Sequence, residues 1–181
     1  MKKTVNAFDY AGEICKALPK GILLTTKLEE RVNTMTIGWG TIGIEWGKPI
    51  FIVYVRESRY TKQILDQTGE FTVNVPMGQI DPKILGFCGT KSGRDVDKIR
   101  ELGLTLEQPE EISVPGIREL PLTLECKVIY KQTQDMNAIQ ADLMEKYYPQ
   151  HVSDPGVGRN RDVHTAYYGE IVNAYLIEDD R

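Results

Sequence analysis

The sequence predicts a mostly antiparallel β-domain with a few peripheral helices, its sheet closing as a barrel. Short runs rich in β-branched and apolar residues recur along the chain, at 21–26, 33–40, 50–55, 70–76, 122–130 and 169–177. The helical signals between them are brief. Closure follows because a barrel removes the unpaired strand edges that an open sheet has to protect. A length of 181 residues fits one domain spanning 1–181, and neither an internal repeat nor a low-complexity linker divides it.

In chain order, residues 8–18 form a short helix candidate leading to Pro19. Residues 21–26 read as a strand, and the charged segment 27–32 as a hairpin connection. The next strand, 33–40, is thinned by Gly38 and Gly40, with Gly43 close behind. Glycine inside a strand marks a bulge or a close approach to the backbone. Pro49 opens the strongest strand, 50–55, which stops at Arg56-Glu57-Ser58-Arg59-Tyr60-Thr61. Residues 61–67 read as helical, with Gly69 as the stop. Residues 70–76 alternate and put Phe71, Val73 and Val75 on one face. A helix over 81–87 has Pro82 in its first turn. The tract Cys88-Gly89-Thr90-Lys91-Ser92-Gly93-Arg94-Asp95-Val96-Asp97-Lys98 reads as a loop that runs into a helix through Leu102. Pro109 and Pro115 bound a turn-rich stretch before the strand 122–130. A helix over 140–147 and a closing strand over 169–177 complete the chain.

Composition excludes several functions. A net charge of −4 argues against a nucleic-acid or anionic-membrane binder, since either needs a basic face. Any phosphate must be held locally. Cys15, Cys88 and Cys126 are scattered with no CxxC pair, and only His151 and His164 could join them, so no metal site is expected. Unpaired thiols fit the reducing cytoplasm. The N-terminus shows no signal-peptide pattern, and no apolar run approaches the ~18 residues of a membrane span.

Three segments could carry chemistry. Arg56, Ser58, Arg59, Thr61 and Lys62 set three cations and two hydroxyls at a helix start, where open N–H groups and the helix dipole favour an anion. A solvated helix cap would look the same. Gly89-Thr90-Lys91-Ser92-Gly93-Arg94 resembles an anion nest, without the order of a Walker A loop, and also an ordinary loop. In 33–43, polar and apolar residues alternate along a glycine-thinned strand. That suits a flat heteroaromatic ring as well as a core strand burying Met35, Ile37 and Trp39. His164 is a candidate proton donor or a surface histidine, and Cys88 a redox-site thiol or a small buried hydrophobe.

Together these segments resemble one family. Asn33-Thr34-Met35-Thr36-Ile37-Gly38-Trp39-Gly40 resembles the ring-binding strand of the flavin reductase-like, FMN-binding split-barrel proteins. Arg59-Tyr60-Thr61 with Glu70-Phe71-Thr72-Val73-Asn74-Val75-Pro76, then the tract from Cys88 to Lys98, are similar to its following blocks, the last as in flavoredoxin-like members. Tyr168-Gly169-Glu170-Ile171-Val172 resembles its final strand. The similarity spans about residues 20 to 177.

The resemblance implies a six-stranded Greek-key split barrel binding FMN near a homodimer interface. It assigns the flavin ring to Asn33, Thr34, Met35 and Thr36, with Trp39 nearby. The ribityl-phosphate tail goes to Arg56, Ser58, Tyr60 and Thr61, helped by Lys91 and Ser92. Cys88 and Gly89 fall near the ring or ribityl chain, and His164 and Tyr168 approach the ring from the C-terminal region of the same subunit or of its partner. The implied activity is an oxidoreductase moving electrons from NAD(P)H or a protein donor through FMN, or else a non-enzymatic flavoredoxin-type carrier. The Gly-Asp-His motif that two-component flavin reductases use with nicotinamide is not matched at Tyr168-Gly169-Glu170, which leaves both donors open.

Overall fold

The computed structural model describes residues 1–151 and 161–178. The first strand, β1 (Lys2–Thr4), precedes α1 (Ala11–Ala17), which is flanked by single 3-10 turns where a longer helix is expected. The hairpin β2 (Ile22–Leu28) and β3 (Arg31–Ile37) turns at Glu29-Glu30, so both strands run into the segment read as their connection. Next come β4 (Gly40–Glu45), β5 (Lys48–Arg56), α2 (Tyr60–Thr68) and β6 (Glu70–Val75). Helices α3 (Pro82–Thr90) and α4 (Lys98–Leu102) lead to a short ribbon of β7 (Leu106–Glu107) and β8 (Gly116–Ile117). The long strand β9 (Leu122–Thr133), α5 (Ala141–Tyr147) and β10 (His164–Ile177) finish the fold.

The main sheet runs β3-β2-β6-β9-β10-β5-β4, all pairs antiparallel, with β1 added along β10. All six strands read from sequence are present, and β1 and β4 raise the count to eight. Two glycines in six residues mask β4, which forms by pairing with β5 across Trp46-Gly47. Those two residues have φ of 53° and 71°, the left-handed pair of a type I′ hairpin turn. β6, β9 and β10 follow one another and β10 returns beside β5, a Greek-key path.

The sheet curls round one core. Ile22, Leu24 and Ile37 from β2 and β3 meet Phe51, Val53 and Val55 of β5 in a single buried cluster. Phe71, Val73 and Val75 join it from β6, as alternation predicts, together with Leu122, Leu124 and Tyr167. Opposite ends of the hydrogen-bonded path therefore share an interior, which is the geometry of a split barrel. Leu23, facing the other way, packs with Ile84, Cys88, Leu104, Ile117 and Leu120 and fixes α3 against the outside of β2. Where β10 crosses β6 there is room for no side chain: a Cβ at Gly169 would sit 2.7 Å from Phe71 Cε1 and 2.9 Å from Cys126 Cβ.

Asp66 ties α2 to the sheet. Its carboxylate accepts hydrogen bonds from Lys62 Nζ (2.7 Å), Lys131 Nζ (2.6 Å) and the Tyr167 hydroxyl (2.9 Å). Burial opposes the charge, but those donors win and hold the carboxyl at about 2.

Two outcomes follow. Gly169→Ala should lose about 1–3 kcal/mol in urea denaturation through overpacking against Phe71. The Asp66 contribution is complete above the ordinary aspartate value near 3.8 and is lost as pH falls towards 2. Urea midpoints of the wild type should therefore drop more steeply than those of Asp66→Asn across that interval.

Candidate functional site

Two cavities adjoin beside the open edge of β3. That strand ends the hydrogen-bonded path, so among the described residues its outer edge has no strand partner. The first cavity, about 170 Å³, lies between β3, the start of α2 and the end of α3. The second, about 330 Å³, lies over the end of β3, Trp39 and the outward faces of β5 and β10. Met35 and Arg59 line both, which makes them two lobes of one groove.

The smaller lobe is cationic. Arg59, Lys91, Arg94 and Lys98 line it, and among its described lining residues there is no carboxylate. The two donor-rich bends meet here: Ser58, Tyr60 and Thr61 on one side, Gly89, Lys91 and Ser92 on the other. Arg94 Nη1 joins them by donating to Ser58 O (3.2 Å), while Arg94 and Arg31 both lie against the Tyr60 ring. Asn33 Nδ2 donates to Thr61 Oγ1 (2.9 Å), fixing the strand to α2. Gly93 packs on Asn33, where an added Cβ would fall 3.0 Å from Cγ. Cys88, Gly89 and Thr90 belong to the last turn of α3, not to a loop, because that helix runs past Phe87.

Lys98 is the floor of this lobe. It is 5% exposed, and its Nζ donates to Thr34 O (2.8 Å) and Cys88 O (2.9 Å). Burial drives its pKa down to about 8. An ammonium has three donors, and two are spent on carbonyls. The same burial pushes the Cys88 thiol up to about 11, so it stands as a protonated thiol rather than a reactive thiolate.

The larger lobe is flat-sided. Trp39 is 40% exposed and meets Tyr147 edge-on at 5.2 Å and His164 at 4.9 Å. Thr36, Ile37, Gly38 and Tyr54 complete the lining with Arg56. Arg56 Nη1 donates to Asp162 O (2.6 Å) and Nη2 to Tyr147 O (2.9 Å). It was expected with the phosphate tail, yet it lines the larger lobe only, because alternation along β5 turns it to the same outer face as Tyr54. Burial first, and the Arg56 charge second, lower the His164 pKa to about 4. At neutral pH the ring is therefore a neutral imidazole with one N–H donor and one bare nitrogen.

Two further expected residues lie elsewhere. The Thr34 side chain points inward to Thr25 Oγ1 (3.0 Å), leaving its carbonyl on the site side. Tyr168 lines neither lobe; it sits four residues along β10 from His164, in an aromatic group with Trp46 and Tyr130. Arg59 and Arg94, read from sequence only as members of the two anion-favouring bends, line the smaller lobe; Lys98 there, and Tyr54 and Tyr147 in the larger lobe, have no role assigned from sequence. Among the described residues no cluster of His, Cys, Asp or Glu could hold a metal, and no helix is long and apolar enough to cross a membrane.

Comparison with known proteins agrees with this architecture. An uncharacterized protein of Archaeoglobus fulgidus is 34% identical over 100 residues, which are 55% of this chain and 55% of that protein; this chain thus covers about half the length of that relative. Flavoredoxin from Methanosarcina acetivorans is 25% identical with a TM-score of 0.61, over 87% of this chain and 68% of that one. An FMN-binding domain of a flavin reductases-like enzyme from Shewanella baltica shares the fold at 16% identity and a TM-score of 0.63, over 97% of this chain and 77% of that one. Residues 16–181 match the flavin reductase like domain. With nearly its whole length matched, the chain belongs to the flavin reductase-like domain family.

Proposed function

We propose that the groove binds FMN and that the protein is a flavin-dependent oxidoreductase. The observation that carries this is the smaller lobe: four cations and no carboxylate, in a chain of net charge −4, opening directly into a flat-sided lobe. An elongated ligand with an anionic end and a planar end fits that pair. Ser58, Tyr60, Thr61, Lys91 and Ser92 surround the phosphate with hydroxyl and cationic donors, and Arg59 and Arg94 add charge. The open edge of β3 offers backbone groups to the ring, with Asn33, Met35 and Thr36 facing the groove and Trp39 closing one side. Bound FMN supplies the redox chemistry, while the protein sets orientation and excludes competing reactions. The family and the FMN-binding neighbour support this reading.

A second reading, a flavoredoxin-type electron carrier without turnover of its own, is favoured by the likeness to flavoredoxin. Anaerobic mixing separates the two. Bleaching of the flavin by NADH or NADPH supports the enzyme; bleaching only by a reduced redox protein supports the carrier.

We also infer a homodimer. Ile44 (65% exposed) and Trp46 (59% exposed) stand out from β4 and its turn, and Trp46 meets Tyr130 of β9 edge-on at 5.8 Å. Such an exposed apolar surface suits a second copy of the chain. Sedimentation should give a dimer for the wild type and a monomer for Trp46→Asp.

Two outcomes test the cofactor. Lys98→Met should weaken FMN binding by about 10- to 100-fold, since a hydrogen bond from a charged donor contributes roughly 1.5–3 kcal/mol. Without ligand Lys98 loses its proton near 8, and an anion beside it raises that value. FMN affinity should accordingly be flat between the second phosphate pKa of about 6 and about pH 8, fall as pH rises beyond 8 in the wild type, and lose this upper component in Lys98→Met, all readable by fluorescence titration.

A further inference from the structure

Three residues at the rim of the larger lobe determine where one proton sits. The His164 backbone N–H donates to Gln134 Oε1 (3.1 Å), so that amide atom is the oxygen. The same oxygen lies 2.9 Å from the Tyr148 hydroxyl and can only accept, so it takes the single hydroxyl proton of Tyr148. The Tyr148 oxygen is also 2.8 Å from His164 Nδ1. Having given its proton away, it faces Nδ1 with a lone pair, and Nδ1 must carry the hydrogen. Neutral imidazole then leaves Nε2 as a bare acceptor, and the ring lines the larger lobe. The charged and titratable groups around it are Arg56, Arg59, Asp162, Tyr147 and Tyr148. Arg56 and Arg59 oppose a second positive charge there.

We propose that Gln134 and Tyr148 are positioning residues that lock His164 in the Nδ1–H tautomer, and that Nε2 selects a flat, uncharged group presenting an N–H or O–H. This rests on the larger lobe being the place where the flavin ring and its reaction partner meet. Two sources carry the required chemistry: the N3–H of the flavin itself, or a phenol- or amide-like second molecule. A buried acceptor left without a donor costs binding, so a ligand with that hydrogen replaced by methyl is rejected.

The test uses the full chain labelled with 15N-histidine, before and after loading with FMN. Only His151 and His164 contribute signals, and His164→Gln identifies which is which. At pH 7 His164 should show a protonated Nδ1 and an unprotonated Nε2, unchanged until pH falls towards about 4. Tyr148→Phe should populate the other tautomer, which a purely structural role for Tyr148 would not do. If the flavin is the donor, 3-methyl-FMN should bind about tenfold more weakly than FMN. If a second molecule is the donor, 4-methylphenol should shift the His164 Nε2 resonance and 4-methylanisole should not. An Nε2–H tautomer or an imidazolium at pH 7 overturns the proposal, as does failure of both methylated probes to discriminate. Absence of FMN binding instead rejects the flavin reading, and the tautomer measured on the unloaded chain still stands or falls separately.

Discussion

The site depends on one buried ammonium. Lys98 Nζ bridges Thr34 O on the unpartnered edge of β3 and Cys88 O at the end of α3, so a single group holds the strand, the helix end and the cationic loop in register. Taking an ammonium out of water is costly unless charge or hydrogen bonds compensate. Two carbonyls compensate in part, and the phosphate proposed for the lobe above would take the third donor. The same interaction that shapes the groove thus makes it incomplete without its ligand.

The rest of the architecture leads to that point. The split between β3 and β4 leaves a strand edge available, and the core that spans both ends of the sheet keeps the edge rigid. Asp66 anchors α2, whose first residues supply Tyr60 and Thr61 to the lobe. Local charge, not total charge, governs ligand choice: an acidic protein can hold a dianion when its cations converge and its carboxylates are spent elsewhere. The larger lobe follows a different logic. Its histidine is neutral, its Arg56 donates to two main-chain carbonyls, and aromatic rings make up much of its walls.

Much of this is legible in the sequence because it depends on local order. Alternation in 70–76 places Phe71, Val73 and Val75 in the core, and the hydroxyls and cations of the two bends mark both walls of the smaller lobe. What depends on packing between distant segments is not legible. Lys98 stands in a tract that reads as a loop running into a helix, and the packing of α3 and α4 on β3 buries it. Arg56 and Ser58 are two residues apart yet serve different lobes, because β5 ends between them. Tyr168 belongs to the same strand as His164 but lies four residues along it, outside both lobes of its own chain. Tyr54 and Tyr147 carry no motif; they come from β5 and the end of α5, which meet where Arg56 donates to Tyr147 O and Trp39 packs edge-on against Tyr147.

The most direct test of the central claim compares two ligands that differ in one group. FMN and riboflavin share the ring and the ribityl chain, and only FMN carries the phosphate that the four-cation lobe would grip. Calorimetric titration of the purified chain should give FMN an affinity at least about a hundredfold above that of riboflavin, given several charge-assisted hydrogen bonds to phosphate. Equal affinities, or no binding of either, would contradict the account.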